Sequence, residues 1–146
     1  MLVRLLYASR AVESIGSDLI DEILAQSRTR NVEHGITGML CVCQGGDVFM
    51  QVLEGGRVEV NQLYNNILND RRHCDVMLLD YAEIGERRFA GWRMGCVDLS
   101  KVNVSLVLKY SERPRLDPFS VSGRVALALL EELIDTAAIV GRSDSR

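Results

Sequence analysis

Apolar positions in this chain fall into short runs and helical stripes that alternate along its first two thirds. Residues 2–8, LVRLLYA, form a short apolar run followed by Ser9 and Arg10, the pattern of a buried strand. Ser17 then stands where an N-cap is expected, with Asp18, Asp21 and Glu22 suited to the positive end of a helix dipole. Leu19, Ile20, Ile23, Leu24 and Ser27 follow at helical spacing, and Asn31 and Gly35 accept the left-handed turn that stops a helix. A second apolar run covers 36–43. Gly45-Gly46 reads as a two-residue hairpin turn, and 47–53 as the returning strand.

After Gly55-Gly56, the residues Val60, Leu63, Tyr64, Ile67 and Leu68 keep the spacing of an amphipathic helix. Arg71, Arg72 and His73 are expected to close it with positive charge. Residues 75–82 read as a fourth strand and 93–99 as a weaker fifth. The order β-α-β-β-α-β-β predicts an α+β fold whose first six elements follow the ferredoxin-like split βαβ arrangement. Such a sheet carries two helices on one face and leaves the other bare. Residues 102–110 and 124–139 read as two further helices around a Pro-containing turn at 114–118. Val125, Leu127, Leu129, Leu130, Leu133 and Ile134 give the last one a broad apolar face, which either covers the sheet or forms an interface. The expected organisation is an α+β domain over 1–99, a helical extension over 100–140 and a loose tail over 141–146.

Composition narrows the class. With 146 residues, 47% of them hydrophobic, 25% charged and only 2 proline, the chain is long and apolar enough for one domain with a core. A net charge of −3 argues against duplex nucleic acid as a partner. No apolar run approaches the roughly 18 residues of a membrane span. An acidic amphipathic segment follows the N-terminal apolar stretch where a signal peptide would place its cleavage site. A cytoplasmic protein with reduced thiols is therefore expected. Cys41, Cys43, Cys74 and Cys96 lack a C-x-x-C pair or a histidine cluster, so they read mostly as core fillers and no metal site is expected.

Candidate chemistry is sparse. There is no P-loop, no G-x-G-x-x-G, no H-E-x-x-H and no G-x-S-x-G. Three polar residues stand out against apolar surroundings: Tyr7 and Gln51 within strands that read as buried, and Asn31 at the end of the first helix. Two readings are open. Tyr7 and Gln51 satisfy each other or the backbone while Asn31 caps its helix. Alternatively, the amides complement a heterocycle with alternating C=O and N–H groups, such as a flavin or a pterin. In the second case Ile23 and Ile67, on the inner stripes of the two helices, would clamp a flat ring. In the first they are ordinary core.

Five motifs in order tip the balance. They are Tyr7 with Ser9; Asn31-x-x-x-Gly35-Ile36-Thr37-Gly38; Phe49-Met50-Gln51-Val52-Leu53-Glu54-Gly55; Asp70-x-Arg72-His73; and Arg88-Phe89-x-x-Trp92-x-Met94-Gly95. Together they resemble the BLUF domains, blue-light sensors that use FAD, over about residues 1–99. The resemblance implies that Tyr7 donates an electron and a proton to the excited flavin. It implies that Gln51 lies between the Tyr7 hydroxyl and the flavin N5/C4 carbonyl edge. Asn31 would hold the C4 carbonyl and N3–H, and Ile23 and Ile67 would sandwich the ring. Ser27, Asp70, Arg72 and His73 would sit on the pyrimidine or ribityl-phosphate side. Trp92 and Met94, on the fifth strand, would carry the signal out. Glu54 reads as a solvated strand-end charge. Many members of the family have two Asn where this chain has Arg30-Asn31, so contacts near the C2 carbonyl or ribityl chain are expected to differ. Arg30 there could also stabilise negative charge on a reduced flavin.

The expectation is thus a photoreceptor rather than an enzyme, with FAD as cofactor and FMN as the alternative flavin. Output would pass through the C-terminal helices to a separate protein, with a cyclic-di-GMP phosphodiesterase or a response-regulator-like protein as candidate classes, and with homo-oligomers implied. The competing reading is a flavin-free ferredoxin-like interaction module. A small flavin-dependent oxidoreductase is a third, but the chain has no nicotinamide-binding signature.

Overall fold

The computed structural model describes residues 1–13, 16–43, 47–136 and 139, without the side chains of Ser17 and Leu19. Its elements run β1 (Leu2–Ala11), α1 (Ser17–His34), β2 (Thr37–Cys43), β3 (Val48–Gly56), α2 (Arg57–Leu68), β4 (His73–Ile84), β5 (Gly95–Asp98), a 3₁₀ turn (Leu99–Lys101), α3 (Val104–Tyr110) and α4 (Gly123–Leu133). The sheet order is β4-β1-β3-β2-β5. The first four strands pair antiparallel, and β5 adds parallel to β2 at one edge. The predicted ferredoxin-like α+β fold with two further C-terminal helices is therefore observed.

Strand alternation divides the core in two. Leu5, Tyr7, Leu40, Val42, Phe49 and Leu53 point to one face and pack with Leu24 of α1 and Val60 of α2. Leu6, Met39, Cys41, Met50 and Val52 point to the other, where Val107 of α3 and Ala126, Leu129, Leu130 and Leu133 of α4 cover them. The second sheet face is thus covered by the chain's own C-terminal helices. Burial pushes the Cys43 thiol up to about 12, with Asp98 and Asp117 adding, and raises Cys41 as well. These two are inert fillers, whereas Cys74 is exposed and Cys96 half-buried.

Several boundaries differ from the sequence reading. Gly16, not Ser17, is the N-cap residue of α1, and Ser17 is its first helical residue. Gly35 ends α1 at φ 66°, a left-handed conformation that suits glycine, and its N–H reaches the Asn31 carbonyl. Helix α2 stops at Leu68, so Arg71 and Arg72 lie beyond it and His73 opens β4. Helix α4 ends at Leu133 rather than 139, although Ile139 still packs into the core. Strand β5 is only four residues long, so Trp92 and Met94 precede it. The reason is that the carbonyls of residues 92–94 are taken by Gly38 N–H, Asn31 Nδ2 and Arg28 Nε instead of by a ladder. The hairpin turn expected at Gly45-Gly46 and the tail at 141–146 lie outside the described residues.

The β1–β4 register is irregular between Leu6 and Tyr7 and again between Ala8 and Arg10, where Asp75 adopts φ 54°. Bulges of this kind re-aim side chains, and these two flank Tyr7 and Ser9.

Candidate functional site

Between α1, α2 and the sheet lies a cavity of about 130 Å³, where roughly 10–15 Å³ holds one water. Helix α1 lines it with Ile23, Ser27 and Asn31, residues four apart that share one stripe. The end of α2 supplies Ile67, the connection to β4 supplies Asp70 and Arg72, and β4 opens with His73. Tyr7 and Gln51 rise from the sheet, and Met94 enters from the segment before β5. Arg30 also lines the cavity. Of the sequence-predicted site residues, Trp92 alone does not line it; its ring belongs to the core on the opposite sheet face, with α4 and Ile139.

The register explains how the polar centre is made. Tyr7 on β1 lies directly opposite Gln51 on β3, so their side chains share a face. The Tyr7 hydroxyl donates to Gln51 Oε1 at 2.5 Å, and Gln51 Nε2 reaches Met94 Sδ at 3.2 Å. This fixes the amide with its oxygen toward the tyrosine. Burial raises the Tyr7 phenol well above its ordinary value, with Tyr64 and Asp70 adding to the effect. Tyr7 is thus a neutral donor held in an apolar setting.

The surrounding residues are held as firmly. Asn31, almost fully buried, donates Nδ2 to the Arg93 carbonyl at 2.8 Å, which leaves Oδ1 and a second N–H for the cavity. His73 Nε2 lies 2.6 Å from the Ile67 carbonyl and Nδ1 2.9 Å from Ser9 Oγ. A carbonyl only accepts, so Nε2 carries a proton, and in the neutral ring Nδ1 accepts from the Ser9 hydroxyl. His73 thus offers the cavity a ring, edge-on to Tyr7, rather than a free nitrogen. Asp70 takes the Arg72 Nε at 3.0 Å and Nη2 at 2.5 Å, and this pairing lowers its carboxyl below the usual range.

Three residues carry more than their sequence positions suggested. Glu54 is not a solvated strand end: it is fully buried, bonded to Arg4 Nε at 2.8 Å and to the backbone N–H groups of Arg88 and Phe89. Strand period alone places it with Met50 and Val52 on the inner face, so the signal was present in the pattern. Ser9 and Arg28 hold their positions through partners 64 and 66 residues away in the chain, which no local pattern reveals.

The donor set fits a flat heterocycle with alternating carbonyl and N–H groups. Ile23 and Ile67 offer apolar walls from the two helices. Asn31 and Gln51 offer amide edges, and Arg30 offers a cation beside them. Among the described residues, no group of three or more His, Cys, Asp or Glu is placed to hold a metal, and no helix is long and apolar enough to cross a membrane.

Comparison with known proteins bears on this cavity. Residues 2–95 match the family described as BLUF, sensors of blue light using FAD. The blue light- and temperature-regulated antirepressor BluF of Escherichia coli (strain K12) is 34% identical over 101 residues, which is 68% of this chain and 24% of that protein. The photoactivated adenylate cyclase subunit beta of Euglena longa is 34% identical over 94 residues, 64% of this chain and 11% of that protein. This chain therefore spans a quarter or less of the length of these relatives. Among solved structures, the photo-activated state of BlsA superposes with a TM-score of 0.82 at 30% identity, over 94% of this chain and 98% of that one. The dark state of BlrB, a BLUF protein, gives 0.76 at 32% identity, over 91% and 94%.

Proposed function

We propose, on the premise that this chain belongs to the BLUF family of blue-light sensors using FAD, that its cavity holds the flavin and converts light into a rearranged hydrogen bond at Gln51. The observation that carries this reading is the chain Tyr7 Oη–H to Gln51 Oε1, Gln51 Nε2 to Met94 Sδ. A bound flavin supplies a chromophore that becomes a strong oxidant when it absorbs blue light. Tyr7 is an oxidisable side chain whose hydroxyl already points its proton at the glutamine. With the flavin bound, Tyr7 would give it an electron, and Gln51 would relay the hydroxyl proton to it and, by rotating or tautomerising, would exchange donor for acceptor. On rotation the contact with Met94 would change, because an amide oxygen does not donate to a thioether.

Asn31 orients the ring through its free amide edge, while Ile23 and Ile67 exclude water from its faces. Ser27, Asp70, Arg72 and Arg30 serve the polar side of the ligand. His73 shapes the wall beside Tyr7. A local hydrogen-bond change of this kind acts as a switch when it biases an element with two arrangements. The segment carrying Trp92 and Met94 is that element. Residues 1–99 act as the sensor and the C-terminal helices as its relay. The relay acts on a separate output protein or on further copies of this chain; the Euglena longa relative is itself a photoactivated adenylate cyclase subunit.

The test is the absorption spectrum of the purified, flavin-loaded protein before and after blue light. The expected result is a yellow protein with a small red shift that reverses in the dark. A colourless protein that cannot be loaded with FAD or FMN would overturn the reading and leave the interaction module in its place.

A further inference from the structure

The connection from β4 to β5, residues 85–94, is tied at its middle and at its far end. At its middle, the Glu54 carboxylate accepts the backbone N–H of Arg88 at 3.1 Å and of Phe89 at 2.7 Å, with Arg4 Nε at 2.8 Å as counter-charge. A fully buried carboxylate is costly unless paired and hydrogen-bonded, and all three of these partners are donors. The Trp92 N–H then returns to the Phe89 carbonyl at 3.1 Å, closing one tight turn. At the far end, three consecutive carbonyls are held from outside. Gly38 N–H takes Trp92, Asn31 Nδ2 takes Arg93, and Arg28 Nε takes Met94, at 2.9, 2.8 and 3.0 Å. Met94 Sδ ends this run against Gln51.

We infer that Glu54 is a positioning residue for the sensing pair. Through the turn at 89–92 it sets where Met94 stands against Gln51, and so how firmly the dark arrangement is held. Glu54 and Gln51 sit three residues apart on β3 and face opposite sides of the sheet, so the strand carries the sensing amide and the anchor of the segment that amide touches. Arg28 completes the clamp from α1. The inference rests on the reading of Gln51 and Met94 given above.

The experiment compares flavin-loaded wild type with Glu54→Gln and with the double variant Arg4→Met, Glu54→Gln, which leaves no orphaned guanidinium. Backbone amide exchange is measured by NMR, and recovery of the light-induced shift by absorption. The Leu5 and Leu6 amides in β1 report global opening. Relative to them, the amides of Arg88, Phe89 and Gly38 are expected to exchange at least about tenfold faster in both variants. Gly38 is the informative one, since it reports the far end of the segment. The light-induced shift is expected to persist, with recovery changed by at least about threefold, which is about 0.65 kcal/mol in the barrier or more at roughly 1.36 kcal/mol per tenfold. Faster exchange at Arg88 and Phe89 with Gly38 and recovery unchanged would overturn the inference, because Glu54 would then be a local tie. A uniform acceleration that includes Leu5 and Leu6 would also overturn it. If wild type shows no light-induced shift, the proposed function fails, while the exchange at Gly38 still decides whether Glu54 sets the segment.

Discussion

Tyr7 keeps its proton because ionising it would place a charge in an apolar site already bordered by Tyr64 and Asp70. The unfolded chain gives that proton up near pH 10. The folded chain holds it to higher pH, so this contribution to stability is complete below about pH 10 and is lost as pH rises beyond it. Denaturant titrations at about pH 9 and about pH 11 are expected to show a loss of stability in wild type that is smaller in Tyr7→Phe. Equal losses in the two proteins would mean that Tyr7 ionises normally. At this scale much was legible from the sequence. A tyrosine and a glutamine inside apolar runs announce a need for partners, and β1–β3 register makes them each other's. The histidine was legible as a site residue but not as a bridged one, since its partners Ser9 and the Ile67 carbonyl meet only after the sheet and α2 have packed. Glu54 reads as solvated from sequence because a charge beside two glycines looks like a strand end, whereas the strand continues through Gly56.

At the scale of elements, helices and central strands followed their periodicity closely. Strand β5 is shortened by distant contacts, since groups on β2 and α1 take the carbonyls that precede it, whereas α2 and α4 end on local turns, with Asn69 N–H on the Asn66 carbonyl and Ile134 N–H on the Glu131 carbonyl. The docking of α4 also depends on a distant contact. A Cβ built at Gly123 would lie 2.1 Å from the Leu79 carbonyl oxygen, so the start of α4 rests directly on the β4 backbone. Leu79 is the extra residue of the bulge that falls opposite Leu6 and Tyr7. Gly123→Ala must therefore push α4 off β4 or distort the bulge. A loss of about 1–3 kcal/mol in unfolding free energy is expected, in the range of overpacked sites. Gly85→Ala, with nothing within 4 Å of the added Cβ, serves as the neutral control. Equal stability of the two variants would contradict the close approach.

At the scale of the whole molecule, one sheet separates two tasks. Its α1/α2 face holds the cavity, and its α3/α4 face holds the core to which Trp92 belongs. The segment before β5 passes between them, with Met94 on the cavity side and Trp92 on the helix side. That division was foreshadowed by alternating strand patterns and by the apolar stripe of the last helix, but the choice between covering and interface needed the packed chain. In the proposed function, Tyr7 starts the signal on the cavity side through Gln51. The light-minus-dark difference spectrum of flavin-loaded Tyr7→Phe beside wild type tests it most directly. The expected result is equal flavin loading in both proteins, with a reversible red shift in wild type and none in Tyr7→Phe. A Tyr7→Phe protein that shifts and recovers like wild type would contradict the account.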